Sequence, residues 1–323
     1  SRTRAPSFLE DTMKRRITTY PMSERQNLVK LPDFARLPSA GYSICPFIDS
    51  LPKIHAGETL RKVIAAIVLA RNSGRPVVLG MGAHVIKCGL SAYLIALLER
   101  KALTAIALNG AGAIHDFELA AFGETSEDVA KELKAGRFGC VEETGAWMGE
   151  AISEGARQNL GLGEALYRSM KARPERFPHR EISLLWNTFE RRVPCSVHVA
   201  IGTDFIHLHR ACDGAALGAT TFRDFEIFCE QVEQLERGVY WNLGSAVILP
   251  EIFLKAVSRA HNLGNTLDGM TTVDTDQMIH YRTMTNVVKR PSLGVGEGYH
   301  LTGHHELLVP LIALALLEEL PKC

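Results

Sequence analysis

Four apolar, strand-like segments of this chain each lead into a turn that carries glycine and a polar residue. They are VVLGMGAH (77–84), AIALNGAGAIHD (105–116), HVAIGTDFIHLH (198–209) and VYWNLGSAV (239–247). In an open α/β sheet the parallel strands end along one edge, and ligands bind in the crevice beyond it. Glycine allows the backbone to approach a ligand closely, and the start of a following helix offers free N–H groups to an anion. The four turns therefore predict a ligand-binding rim.

Histidine is concentrated around these turns and before the final apolar segment. The histidines found there are His84, His115, His198, His207, His209, His304 and His305. The imidazole pKa lies near neutrality, so such side chains suit acid–base chemistry. They also suit a transition metal, with His207, His209 and a third ligand from His304, Asp204 or Glu306. Because no HExxH or Cys–His spacing accompanies them, a metal site stays an alternative.

Three other side chains could take part in chemistry, and each also has a purely structural interpretation. Asp204 ends a strand-like segment, where a carboxylate accepts hydrogen bonds from ribose hydroxyls or caps a turn. Asp116 directly precedes the segment FELAAF, so local sequence favours a helix cap. Lys289 follows Val287 and Val288, and a desolvated lysine can act as a Schiff-base nucleophile, although most lysines reach solvent. Local sequence alone favours a functional role only for Asp204.

From residue 57 onward, helical and strand-like patterns alternate. The amphipathic segment 57–74 precedes the short buried strand PVVLG (76–80), and similar pairs follow, with a helical stretch over 117–192. This alternation predicts an α/β fold with a Rossmann-like, doubly wound parallel sheet and helices on both faces. Residues 1–56 contain six prolines and little periodicity. They are therefore predicted to form an extended N-terminal arm on a single domain of residues 57–323.

Charge and cysteine content exclude several classes of protein. Lys plus Arg and Asp plus Glu both number 36, without a basic stripe, which argues against a nucleic-acid or anionic-membrane partner. The longest apolar run, 307–317, contains Pro310 and is shorter than the roughly 20 residues of a membrane-spanning helix. The seven cysteines form no CxxC pair, and the charged N-terminus has no apolar h-region. These features predict a cytoplasmic protein that acts on a small-molecule substrate.

Five segments, in this order, resemble the deoxyhypusine synthase family from about Arg75 to Leu317. They are VVLGMGAHVIKCGLSAYLIALLER, AIALNGAGAIHDFELAAFGET, SLLWNTFERRVPCSVHVAIGTD, GVYWNLGSAVILPEIFLKAVSRAHNLG and HLTGHHELLVPLIALAL. The resemblance implies a Rossmann-like sheet, shared with sirtuins, and a homotetramer that binds NAD at subunit interfaces. It also implies a transferase that uses NAD to oxidise an amine, holds the product on a lysine as an imine and passes it to an acceptor.

The same resemblance assigns roles to residues of the predicted rim and of two later turns. Cofactor contacts are implied for Gly82, Ala83, His84, Val85, Ile86, Lys87, Gly110, Ala111, Gly112, Asp116, Asp204, Ser245, Thr272, Val273, His304 and His305. Catalytic roles are implied for Lys289, as the imine-forming lysine, and for His209 and His115.

Several substitutions separate this chain from the substrate side of the family. Residues 249–251 are Leu-Pro-Glu, where the family has a Lys-His-His stretch whose first histidine contacts spermidine. His209 and His115 replace acidic residues, which removes negative charge from a pocket for a polycation and weakens spermidine binding. We therefore predict an NAD-dependent enzyme that acts on a small amine other than spermidine. The alternatives are a metal-dependent hydrolase or lyase and a non-catalytic nucleotide-binding oligomer.

Overall fold

The computed structural model describes residues 17–31 and 43–321, so that residues 1–16 and 32–42 of the predicted arm lie outside the described residues. The described strands are β1 (Asn27–Lys30), β2 (Val77–Met81), β3 (Ala105–Asn109), β4 (Glu124–Glu127), β5 (Cys195–His198), β6 (Val239–Leu243), β7 (Thr271–Asp276) and β8 (Glu297–Thr302).

Six of these strands form one parallel sheet in the order β5-β3-β2-β6-β7-β8. The chain moves outward from β2 to β3 and β5, and then returns to the other side of β2 to place β6, β7 and β8. Numbered along the chain, this is the 3-2-1-4-5-6 order of dinucleotide-binding sheets, in which the order reverses at a switch point between β2 and β6. The predicted parallel α/β fold is confirmed.

Helices cover the sheet and connect its strands. They are α1 (Cys45–Ser50), α2 (His55–Asn72), α3 (Ala83–Lys87), α4 (Ser91–Glu99), α5 (Gly110–Phe122), α6 (Val129–Lys134), α7 (Glu142–Arg157), α8 (Leu162–Ala172), α9 (Leu184–Glu190), α10 (Gly214–Val232), α11 (Ile248–Asn262), α12 (Tyr281–Thr283) and α13 (His305–Glu319). A π-helix, Met284–Lys289, follows α12, and a 3-10 turn, Phe205–Leu208, follows β5. No helix of the described chain combines the length and apolar character needed to cross a membrane.

Successive side chains of the central strands enter two different cores. Leu79 and Trp241 belong to a large core shared with α2, α4 and α13, whereas Val78 and Tyr240 belong to a second core with α10 and α11. All four side chains are fully buried. Because adjacent side chains of a strand point to opposite faces, both faces of the sheet are covered, as the sequence predicted.

Two strands and one helix start differ from the sequence-based expectation. β4 lies in the stretch predicted to be helical, and its Glu and Ser residues are weak strand formers. It forms a strand because β1, from the N-terminal segment, pairs with it in antiparallel register. Helix α5 begins at Gly110, capped by Asn109, whose side chain accepts the N–H of Gly112. The prediction that Asp116 precedes this helix is therefore wrong. The edge strand β8 was also not predicted.

A buried ion pair fixes the N-terminal segment to α5. The Arg25 guanidinium donates to both carboxylate oxygens of Glu118, at 2.9 and 2.8 Å, and both side chains are almost completely buried. The hydroxyls of Thr125 and Thr144 also donate to Glu118. Burial alone would raise the pKa of Glu118, but the Arg25 charge and the hydrogen bonds from Arg25 and Thr125 together outweigh burial and hold that pKa below its usual range. Glu118 is therefore an ionised residue inside the protein.

Replacement of Arg25 by methionine should lower the free energy of unfolding by about 3–5 kcal/mol at pH 7, because it leaves the Glu118 carboxylate buried without a partner. Denaturant titration followed by circular dichroism measures this change. Arg157→Met is the matched control: its partner Glu154 is exposed, so we expect little change in the free energy of unfolding. Equal losses in the two variants would contradict the role assigned to the buried pair.

Candidate functional site

The turns after β6, β2 and β3 touch one another along the carboxyl edge of the sheet. A Cβ atom on Gly82 would overlap the carbonyl oxygen of Gly244, so this approach requires glycine. The Gly82 N–H donates to the carbonyl oxygen of Leu243 at 2.9 Å. On the other side of the same turn, the Cα of Ala83 is 3.7 Å from the position that a Cβ on Gly112 would occupy. The structure thus brings the first two predicted cofactor turns together.

Asp204, in the turn after β5, also lies along this edge of the sheet. A Cβ on Gly110 would overlap the Asp204 carboxylate, which therefore lies directly against the first residue of α5. Burial raises the pKa of Asp204 to about 6. The backbone N–H groups of Gly202 and Asp204 both donate to Nδ1 of His207. Because burial also lowers the pKa of His207, its ring is neutral at pH 7 and carries its proton on Nε2.

A cavity of about 350 Å³ lies beside Asp204, between the turn after β5, helix α5 and the N-terminal segment. Its titratable lining residues are Arg25, Lys87, His115, Glu127, Asp204 and His207. Its apolar wall includes Ile114, Phe138 and Phe205. This volume is at the lower end of the range of small-molecule sites, and a few polar groups in a mainly apolar wall are typical of them.

His115 is the proton acceptor of this cavity. Its Nδ1 lies 2.7 Å from the hydroxyl oxygen of Thr125, and that hydroxyl donates its proton to the ionised Glu118. The Thr125 oxygen must therefore accept the bond from Nδ1–H of His115, which leaves Nε2 of the ring unprotonated. Burial lowers the pKa of His115 to about 4, so the ring is neutral at pH 7. Nε2 can consequently accept a proton or a hydrogen bond from a ligand.

Lys87 supplies the positive charge of the cavity. It ends helix α3 and lines the cavity, and no carboxylate among the described residues pairs with its ammonium group. The other cation of the wall, Arg25, is neutralised by Glu118. An anionic group of a ligand would therefore be attracted to Lys87.

The predicted cofactor residues His84, Ser245 and His305 lie at the switch point and not in this cavity. Nδ1 of His305 is 2.9 Å from Nδ1 of His84, and its Nε2 is 3.8 Å from Oδ1 of Asp276. The His305 ring packs so closely on Gly244 that a Cβ there would lie 2.6 Å from its Cε1. Ser245 Oγ accepts the N–H of Leu249 and stabilises the start of α11. The switch point is thus closely packed.

Asp116 has a structural role in this chain. It is fully buried, and its carboxylate accepts hydrogen bonds from the Ser183 hydroxyl at 2.5 Å and from the backbone N–H groups of Leu184 and Leu185. It therefore caps α9. Burial raises its pKa to about 6, against the effect of these bonds. Its oxygens are occupied by protein donors, so they are not presented to a ligand.

Four further predicted cofactor residues have no exposed side chain. Val85 and Ile86 are fully buried in the larger core. Thr272 and Val273 lie inside strand β7, not in a turn, and are also fully buried. The prediction of a cofactor-contacting turn at Thr272 and Val273 is therefore wrong, because the carboxyl end of that strand is three residues further on, at Asp276.

The remaining predicted catalytic residues are not brought to the cavity. His209 is buried against Gly145; burial lowers its pKa, and its Nε2 is 3.8 Å from Oε2 of Glu142. Lys289 is exposed at the end of the π-helix, whose residue Val288 packs on the amino end of β8.

His304 is exposed and precedes α13, with Nδ1 3.6 Å from Oε1 of Glu306. Across the described parts of the chain, no three His, Cys, Asp or Glu side chains are arranged to hold a metal ion. The three histidines proposed as metal ligands therefore do not form a cluster.

Sequence reasoning missed the residues that orient His115. Glu118 and Thr125 lie inside the second of the five resembling segments, but no role was assigned to them there, and Arg25 lies outside all five segments, 93 positions from Glu118. No local pattern indicates their pairing. The glycine turns, by contrast, carry a signal in their own sequence.

No family model and no curated protein matches this chain. Solved structures do resemble it. The ternary complex of AgrE with ornithine and NAD+ shares 15% identity, covering 81% of this chain and 34% of that chain, with a TM-score of 0.49. A conserved putative LOR/SDH protein from Methanococcus maripaludis S2 shares 16% identity over 84% of this chain and 70% of that chain, with a TM-score of 0.45.

A putative deoxyhypusine synthase from Entamoeba histolytica shares 12% identity, covering 86% of this chain and 96% of that chain, with a TM-score of 0.45. This chain spans about a third of the AgrE chain. A putative deoxyhypusine synthase is thus among the solved structures that this chain resembles.

The raised pKa of Asp204 predicts a pH-dependent effect of Asp204→Asn. A carboxyl whose folded pKa of about 6 exceeds the ordinary 3.8 stabilises the protein below about pH 4, and this stability is lost as the pH rises through 6. The neutral asparagine avoids that loss. We expect the variant to be more stable than the wild type by about 1–2 kcal/mol at pH 8, after allowance for partial exposure, and the difference to shrink towards pH 5.

Urea unfolding of both proteins at pH 5 and pH 8 tests this expectation. Asp268→Asn, at an exposed position, is the control and should show no such trend. An Asp204→Asn variant that is destabilised equally at both values would contradict the pKa assigned to Asp204.

Proposed function

We propose that this chain is an NAD-dependent enzyme with a deoxyhypusine-synthase-like fold, and that the cavity beside Asp204 binds its small-molecule substrate together with part of the cofactor. The observation that carries the proposal is the placement of the Asp204 carboxylate against Gly110. This pair lies at the carboxyl edge of a 3-2-1-4-5-6 sheet, beside a cavity that contains the neutral imidazole of His115 and the ammonium group of Lys87, which has no carboxylate partner among the described residues.

The residues at this edge fit the ribose of NAD. In dinucleotide-binding sheets an acidic residue accepts hydrogen bonds from ribose hydroxyls, and a glycine lets the cofactor approach the backbone. Asp204 supplies the carboxylate here, Gly110 leaves room for that carboxylate against the start of α5, and Ala111 lies in the cavity wall. Gly82 differs, because its N–H already donates to Leu243 and is not free for a phosphate. Asp204, Gly110 and Ala111 would therefore hold the ribose.

When bound, NAD+ would supply a hydride acceptor. The cavity residues would accept the proton, bind the substrate and exclude water. His115 would accept a proton from the substrate at Nε2, with its tautomer fixed through Thr125 and Glu118. Lys87 would hold an anionic group of the substrate, and Phe138 and Phe205 would limit the access of water. These features favour a small amine that also bears an acidic group, in agreement with the loss of the spermidine-binding residues.

The proposal is an oxidation at this cavity and includes no imine at Lys289, because that side chain is exposed beside the amino end of β8. A transfer step, the homotetramer, the division into an arm and one domain, and the cytoplasmic location stay predictions from the sequence.

Calorimetric titration with NAD+ tests the cofactor assignment. Gly110→Ala should weaken binding at least about tenfold, because the new methyl group displaces the Asp204 carboxylate. Gly218→Ala is the matched control: it is also within a helix, and no atom lies within 4 Å of its added Cβ, so affinity should be unchanged. Absence of NAD+ binding by the wild type up to millimolar concentration would reject the proposal.

The role of Lys87 is tested by NADH formation from a panel of amines, each with and without a carboxylate. For the carboxylate-bearing amines, Lys87→Met should raise KM at least about tenfold, since a hydrogen bond to a charged group contributes about 1.5–3 kcal/mol. Lys101→Met, at an exposed position outside the cavity wall, is the control. A wild type that prefers uncharged amines would contradict the assignment.

A further inference from the structure

A second set of polar side chains forms a straight hydrogen-bonded row across β7 and β8. Nδ1 of His300 lies 2.8 Å from Oδ2 of Asp274, and its Nε2 lies 2.8 Å from Oγ1 of Thr302. Asp274 is fully buried, His300 is partly buried and Thr302 is exposed. None of the three lines the cavity beside Asp204.

The direction of these bonds is set by Asp274. Its Oδ1 accepts a hydrogen bond from the side-chain amide of Asn242 at 2.7 Å, and its Oδ2 accepts a hydrogen bond from Nδ1–H of His300. Nε2 of His300 then has a free lone pair and accepts the hydroxyl proton of Thr302. A carboxylate, an imidazole and a hydroxyl connected in this order are the arrangement that activates a hydroxyl nucleophile in hydrolases.

The geometry is fixed by strand pairing and not by mobile loops. His300 and Thr302 are two residues apart in β8, so their side chains lie on the same face, while Leu301 between them faces the larger core. Asp274 is the register partner of His300, and Asp276 is that of Thr302. The reacting hydroxyl therefore sits at the carboxyl end of β8, supported by a buried carboxylate.

We propose that Asp274, His300 and Thr302 form a second active centre, which cleaves esters of apolar acyl groups. Thr302 Oγ1 attacks the carbonyl carbon and forms an ester bond while His300 Nε2 takes the hydroxyl proton. The bond to the leaving alcohol breaks, and the alcohol leaves with that proton. Water then hydrolyses the acyl-Thr302 ester, and the acid is released. Asp274 stays ionised and positions the ring.

The preference for an apolar acyl group comes from the loop that follows β7. This loop begins directly after Asp276, the register partner of Thr302, and carries Met278 and Ile279 at 61% and 67% exposure; Tyr281, which starts α12, is 77% exposed. Large apolar side chains with such high exposure mark a surface that contacts an apolar ligand or partner. Because the loop starts beside Thr302, we assign the acyl chain of the substrate to these side chains.

An alkyl fluorophosphonate tests the nucleophile directly on the full-length protein. Thr302 Oγ1 would displace fluoride from phosphorus, and mass spectrometry of peptides would place the label on Thr302. Thr302→Val, which keeps the shape of the side chain, should abolish labelling, and Thr302→Ser should retain it. His300→Gln should slow labelling at least about 100-fold, the usual contribution of a general base. Ser50→Ala removes an exposed hydroxyl that donates to a carbonyl and should change nothing.

Asp274→Asn separates positioning from folding. It should slow labelling, because the asparagine amide can donate to Nδ1 of His300 and so favours the tautomer with its proton on Nε2, which cannot accept the Thr302 hydroxyl hydrogen bond. Hydrolysis of p-nitrophenyl butyrate should follow the same order of variants. Failure of the folded wild type to label at Thr302, or an equal rate in His300→Gln, would overturn the proposal. Either result leaves NAD+ binding at Asp204 unaffected, so the two proposals fail separately.

Discussion

The buried ion pair between Arg25 and Glu118 links the fold of this protein to its chemistry. A carboxylate in an apolar interior normally takes up a proton, and the adjacent guanidinium, together with the hydrogen bonds to the carboxylate, keeps Glu118 ionised. The ionised Glu118 accepts a hydrogen bond from the hydroxyl of Thr125. The oxygen of that hydroxyl then accepts a hydrogen bond from Nδ1–H of His115. The free nitrogen of His115 is thus determined by Arg25, a residue of the N-terminal segment that lies three hydrogen bonds away.

The parts of the site that could be predicted are those with a local cause. A short buried strand followed by glycine and a helix start is readable from a few neighbouring residues, and the turns around Gly82, Gly110 and Asp204 do meet at one edge of the sheet. Contacts between segments that are far apart in the sequence leave no such local pattern. Arg25 meets Glu118, and β1 meets β4, only after the chain has folded. Thr272 and Val273 were misplaced for a related reason, since the resemblance gave no register for β7.

The carboxyl edge of the sheet contains three chemically different regions. At the switch point, His305 packs closely on Gly244, and its Nδ1 lies beside Nδ1 of His84. On the β3 and β5 side, the side chains separate and leave the cavity with its neutral imidazole. On the β7 and β8 side, Asp274, His300 and Thr302 are hydrogen-bonded in a row, and of these three Thr302 is the exposed one. One parallel sheet can supply several sites because each strand delivers its last residues to the same edge.

The small ribbon of β1 and β4 has a thermodynamic consequence. Arg25 lies just before β1, and Ser126 and Glu127 belong to β4, yet all three form part of the cavity wall. A two-stranded ribbon is only marginally stable by itself, so detachment of this segment competes with its docking. A ligand in the cavity therefore stabilises the docked state of the N-terminal segment. Docking of the segment in turn stabilises the bound ligand, and the two coupling free energies are equal. Ligand binding in the cavity and docking of the N-terminal segment are thus thermodynamically coupled.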